Sequence, residues 1–329
     1  MLTVAVRRLR IESVGVAIAL AGVGVLALVT GSMMQHQYRS SGLADCLAAG
    51  PGAHCQQLID RFGERFSSLQ LLIVPLVLLP ALLGAFVGAP LVAREIEAGT
   101  HRFLWTQSVT RQRWFVTVAV AAFVLAAIAG TFYAIIAGLW LDTTNTVTDE
   151  RLGRLYDLQG VVPAAAGIFA VATGIASGVL LRRTLPAMAA TIAIFIVVRL
   201  TIGSQVRPRL APAETLDVAF DGPSPLTGTG AWVLSNRTLT ASGRELGTGG
   251  SLNIANLGDL CPGLDVEPGR LPDQTVVDKC LADVGVHQII RYHPADRFWT
   301  FQLIETGLLL GLATVAIGVA VWGLTRRTA

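Results

Sequence analysis

Six apolar runs limit what this chain can fold into. They cover residues 14–34, 69–92, 115–141, 161–181, 185–203 and 298–324, and four of them contain no Asp, Glu, Lys or Arg. About 20 apolar residues carry a helix across a bilayer, and a lone helix satisfies its own backbone there. The runs therefore predict six transmembrane helices. Composition agrees, with 53% hydrophobic and 14% charged residues, against roughly 25% charged in soluble domains. This excludes a disordered chain, a collagen-like chain and an ordinary soluble enzyme. Spans four and five are separated only by Arg182, Arg183 and Thr184, which predicts a tight helical hairpin. The first run follows Arg7, Arg8 and Arg10 but extends over 21 residues with no obvious small-x-small site after it. It reads as a retained span rather than a signal peptide.

Arginines in the short loops set the orientation. With the N-terminus inside, segments 1–13, 93–114, 182–184 and 325–329 hold 11 Arg in 43 residues. The outside loops 35–68 and 142–160 hold 5 Arg in 53 residues. Inside loops of membrane proteins are enriched in Lys and Arg, so both termini are expected in the cytoplasm. The 94-residue segment 204–297 then lies outside.

Cys46, Cys55, Cys261 and Cys280 all fall in segments assigned to the outside. Disulfides persist in oxidising compartments. The simplest pairing is Cys46 with Cys55 and Cys261 with Cys280, since each pair shares a segment. Four cysteines allow three pairings, and sequence does not choose among them. No Cys/His spacing points to a zinc site.

Segment 204–297 is rich in Gly and Pro between Pro208 and Gly250, which are turn signals. It reads as a small, loop-rich, disulfide-stapled extracytoplasmic domain. The expected layout is an all-α membrane protein with spans one to five in 1–203, that domain in 204–297, and span six with a tail in 298–329. Asn236-Arg237-Thr238 matches a glycosylation acceptor, a pattern common by chance. His287, Tyr292, His293 and Asp296 precede the last span and read as an interfacial collar together with Trp299.

Arg199 and Glu305 are the only formally charged residues within the six runs. Ionisable residues at membrane depth are functional candidates. Both fall in the outer half, where they are able to pair with each other. Gln302 lies one helical turn before Glu305 and is placed to share its bonds. Within the six runs three G-x-x-x-G pairs, at Gly84/Gly88, Gly174/Gly178 and Gly307/Gly311, permit close helix contact. Pro75 and Pro80 predict a kink in span two.

The longest inside connection, residues 94–113, begins Arg94-Glu95-Ile96-Glu97-Ala98-Gly99-Thr100 and continues through Phe103, Leu104 and Trp105. Two nearby carboxylates, a Gly-Thr step where Thr100 can cap a helix, and an aromatic amphipathic turn are unusual in a mere tether.

This loop resembles that of the permease subunit of type 2 ABC exporters, in the form common in high-GC Gram-positive bacteria. Residues 89–100, Trp105 to Arg111, Asp157 to Pro163 and Arg182 to Met188 carry the resemblance. It spans about 1–205 and 298–327 and is weak in the outer segment. The resemblance implies a coupling helix that docks on a separate cytoplasmic ABC ATPase through Glu95, Glu97, Gly99, Thr100, Phe103 and Trp105. It implies ATP and Mg bound by that partner, a homodimer or heterodimer of permeases in the cell membrane, and no nucleic-acid partner. From the residues themselves, Lys279 is the only lysine and Cys280 follows it, so the chain holds no G-x-x-x-x-G-K-[ST] loop. One rival reading is a mechanical or signalling protein in which an ATPase moves the outer domain without transport. Another is an embedded enzyme, which lacks support because neither H-E-x-x-H nor G-x-S-x-G occurs. A passive scaffold leaves the Glu95–Thr100 motif unexplained.

Overall fold

The computed structural model describes residues 10–49, 53–97, 111–148, 151–220, 226, 229–249, 260–261 and 274–327. The chain divides into two compact units, Met1–Arg207 with Phe298–Ala329, and Pro208–Arg297.

The first unit is a helical bundle. Among the described residues six helices are long and apolar enough to cross a membrane: Arg10–Ser40, Ser67–Glu97, Phe115–Val147, Val162–Leu181, Thr184–Arg209 and Ala295–Thr325. They are spans one to six, and the protein is a multi-pass membrane protein. Large apolar side chains point outward, with Leu28, Leu139 and Leu185 each at least 75% exposed. Such exposure opposes folding in water but suits contact with lipid. The short helices Leu43–Ala49 and Ala53–Arg65 follow span one, and a disulfide joins them through Cys46 and Cys55.

Span four is the hub of the bundle. In its most apolar stretch 78% of residues are buried, against 6% in span one. Small residues let its neighbours approach. A Cβ added to Gly174 would lie 2.3 Å from the Gly84 carbonyl oxygen, and one added to Gly84 would lie 2.3 Å from that of Ala170. Spans two and four therefore meet backbone to backbone, the arrangement that stabilises helix pairs where no hydrophobic drive exists. Gly307 and Gly311, by contrast, would meet nothing within 4 Å. Two of the three G-x-x-x-G pairs thus face each other, and the third joins no described helix. Val87, Leu91, Phe115, Val118, Val171 and Ile175 fill the core around this contact.

Pro80 perturbs span two in a way its chemistry explains. Proline has no N–H to give the carbonyl one turn earlier, that of Leu76. The Tyr133 hydroxyl of span three donates to that carbonyl at 3.2 Å. Just after Pro80 the helix widens into a π turn over Gly84–Gly88, the stretch that packs on span four. Tyr133→Phe should strand the Leu76 carbonyl and lower stability by about 1–3 kcal/mol, measurable as a reduced unfolding midpoint in detergent. An unchanged midpoint would mean that the carbonyl finds another donor.

The second unit contains a four-stranded antiparallel sheet in the order β1-β4-β2-β3. Its strands are β1 (Glu214–Ala219), β2 (Trp232–Leu239), β3 (Glu245–Thr248) and β4 (His287–His293). The expectation of a loop-rich domain in an all-α protein is corrected here. The strands are short and mostly polar outside their buried faces, so they lack an apolar run that stands out in the sequence. Helix Gln274–Asp283 carries Cys280, which is disulfide-bonded to Cys261. Leu246, Leu281 and Val286 pack around that bridge.

The collar reading of this segment is corrected as well. His287, Tyr292 and His293 belong to β4, and His293 is fully buried. Its Nε2 donates to the Pro208 carbonyl at 3.1 Å, while Arg297 donates to Nδ1 at 3.0 Å. Burial holds the His293 imidazole below its ordinary pKa, so it is a structural histidine.

Candidate functional site

Span four, at about 1.5 Å per residue, runs about 30 Å between two polar constellations of the helical unit. One gathers at its N-terminal end and the other at its C-terminal end.

At the N-terminal end the backbone needs acceptors before it needs charge. Val161 caps the helix without a side-chain bond of its own, leaving the first amides open. Gln302 of span six fills the gap. Its Oε1 accepts from the Val161 and Val162 amides, each at 3.0 Å, and its Nε2 donates to the Gln159 carbonyl at 3.1 Å. Gly160 makes room for this at φ +71°, where an added Cβ would lie 2.6 Å from the Gln302 side chain. The expectation that Gln302 shares the bonds of Glu305 is corrected. Its amide is committed to the turn before span four.

Beside this cap sits a network of four charges. Glu305 is fully buried. Arg199 Nη1 donates to its Oε1 at 2.6 Å, and Arg207 reaches Oε2 through Nε at 3.0 Å and Oε1 through Nη2 at 3.1 Å. Both arginines also donate to Asp157 Oδ1. The Arg207 guanidinium stacks on the Tyr156 ring, 4.0 Å from its centroid. Two cations therefore balance two carboxylates, and the forked arginine geometry satisfies several oxygens at once. Only the Asp157 side chain is appreciably open to solvent, at 25%. Burial, reinforced by the Glu305 and Asp157 carboxylates, pushes the Tyr156 phenol above its ordinary pKa.

Arg199 and Glu305, the two intramembrane charges singled out from the sequence, thus meet directly. Asp157 and Arg207 were not legible as site residues because each lies just outside an apolar run. The bridge from Arg199 to Arg207 depends on backbone form. Residues eight apart on a regular helix point about 80° apart. The π turn Ile202–Val206 absorbs an extra residue, which brings the two guanidinium groups onto one face. A basic residue eight positions from an intramembrane arginine was the available signal, but the π turn that aligns them is not marked by any residue type. Chemically the network suits a latch between the turn before span four and the ends of spans five and six. It offers no nucleophile and no open cation site.

At the C-terminal end of span four, Arg182 turns the chain with φ +55° and span five begins at Thr184. No side chain of its own caps that start. Glu97, the last residue of span two, supplies the acceptor. Its Oε2 takes the Thr184 amide at 3.0 Å and the Thr184 hydroxyl at 2.7 Å. A carboxylate at a helix N-terminus is doubly favoured, by the open amides and by the helix dipole. The acidic motif that closes span two is thereby tied to the hairpin between spans four and five. Glu95 is half-buried on the same helix. Gly99, Thr100, Phe103 and Trp105 lie outside the described residues.

Comparison with curated proteins finds no match, and comparison with solved structures finds none. A family model does match, over residues 17–207, a stretch that takes in Glu97, Thr184, Asp157, Arg199 and Arg207. That is more than half of the chain, and the protein belongs to the ABC-2 membrane transporter related family.

Proposed function

We propose that this chain is the membrane permease subunit of an ATP-driven exporter, working with a separate cytoplasmic ATPase that binds ATP and Mg. Family membership over residues 17–207 carries the reading. The Glu97–Thr184 tie supports it, because a push on the segment after span two reaches the hairpin of spans four and five through two hydrogen bonds. In this scheme the termini and residues 94–113 face the cytoplasm, and residues 208–297 face outward. Two permease copies, alike or related, engage two ATPases, and ATP-driven closure alternates the access of the spans. Coupling of this kind needs two sites biasing one shared equilibrium. The charge latch at the far end of span four is the element expected to rearrange.

The test is gentle-detergent purification of the tagged chain from its native host, followed by mass spectrometry. A stoichiometric partner with a P-loop is the expected result. A clean preparation without one, from cells that express candidate ATPases, would overturn the proposal. A partner whose turnover no compound stimulates would instead favour an ATPase that moves the outward domain without transport, a reading to which the folded sheet of that unit gives a substrate.

A further inference from the structure

A cavity of about 460 Å³ opens between spans one, two, three and four, lined almost wholly by apolar side chains such as Leu83, Val87 and Ala129. Its volume lies in the range of small-molecule sites. Two aromatic residues, Phe86 and Tyr133, line it, and one acidic residue does, Glu12. Glu12 sits in the first turn of the span-one helix and is half-buried. Its Oε2 is shut off from solvent and has no hydrogen-bond partner among the described residues. This sets it apart from Glu305, whose oxygens are met by two arginines. With one oxygen closed off in apolar surroundings and without a partner there, this carboxylate is better satisfied when a countercharge arrives. Apolar walls, aromatic faces and a single acid together fit one class of occupant.

We propose that this cavity seats an amphipathic monocation, with its charge near Glu12 and its apolar body against spans two and three. Aromatic faces attract cations, and the apolar lining takes a bulky hydrophobic body out of water. The aromatic faces and the Glu12 carboxylate disfavour an anion of the same size, while the apolar lining serves either sign. That the monocation is a transported class rests on the permease reading, whereas binding itself does not.

The test uses two ions of nearly equal size and opposite charge, tetraphenylphosphonium and tetraphenylborate. Their binding is measured by equilibrium dialysis to the full chain in phosphatidylcholine nanodiscs, with empty nanodiscs as background. Saturable binding of the cation and none of the anion is expected for the wild type. Glu12→Gln, which keeps the shape and removes the charge, should weaken cation binding at least about tenfold. Gly15→Leu should remove it, because a Cβ at Gly15 meets nothing within 4 Å and the longer side chain projects into the cavity. No saturable cation binding, equal binding of both ions, or wild-type affinity in either variant would overturn the proposal. The comparison of the two ions on the wild type needs no variant to fold. Cation binding by a preparation without an ATPase partner would uphold the site and sink the permease reading; an ATPase partner with no cation binding would do the reverse.

Discussion

Glu305→Gln is expected to destabilise the helical unit by about 3–5 kcal/mol, the range for removing one partner of a buried ion pair. The side chain keeps its volume, so the loss reports charge rather than packing. Without the carboxylate, Arg199 and Arg207 are left with Asp157 as their shared acid, and both arginines are nearly buried. Two cations against one anion in a low-dielectric site is the penalty the balanced network avoids. Unfolding in detergent, followed by circular dichroism, reads the difference. A second substitution sharpens the interpretation. Combining Glu305→Gln with Arg199→Gln restores the balance of one cation to one anion and should recover part of the loss, a non-additivity expected for residues in one network. If the single variant costs less than about 1 kcal/mol, water reaches the cluster and its ions are worth no more than a surface pair. If the double variant is merely the sum of the singles, the four charges do not act as a unit.

The second large effect concerns Glu97. Glu97→Ala should reduce the amount of ATPase that co-purifies with the chain, or the turnover of the retained ATPase, by about tenfold, the span of one 1.4 kcal/mol step in an equilibrium. The reason is geometric. Alanine removes the acceptor for both the Thr184 amide and its hydroxyl, so the end of span two is freed from the spans four and five hairpin. Thr184→Val removes only the hydroxyl bond and keeps the amide bond. If Glu97 works by holding the hairpin, Thr184→Val should give an intermediate loss. If Glu97 touches the ATPase directly, Thr184→Val should behave as wild type while Glu97→Ala still fails. Wild-type capture and turnover in Glu97→Ala would remove this residue from the coupling path. Replacing Gly99 together with Glu97 should abolish capture if the segment after span two docks on the ATPase, as the proposed function requires.

Much of the architecture was legible in the residues. Six helices follow from six apolar runs because the bilayer demands both length and internally satisfied backbone. The pairing of Arg199 with Glu305 was within reach, since they are the only charged groups in those runs and lie in the same half. The small glycine-spaced faces of spans two and four were visible as well, although the third such pair in span six makes no described helix contact. The cysteine bridges were legible as the simplest of three pairings, and the structure forms that one. The sheet was not, because its strands are short and its buried positions include polar residues such as Gln288 and His293.

What the sequence determined by itself was everything carried by transfer free energy along the chain: which segments leave water, how many there are, and where charge is tolerated. Those quantities depend on composition over about 20 residues and hardly on neighbours. Only the tertiary structure decided the rest. A π turn, set by how span five packs and continues, rotates Arg207 into line with Arg199. Gln302 completes the first turn of a helix 140 residues away in the chain rather than helping its neighbour Glu305. Helix one begins early enough to carry Glu12 into an apolar cavity instead of leaving it in a loop. In each case the deciding term is a directional bond or a close contact between distant segments. Its energy exists only once both partners are in place, so no local run of residues can announce it.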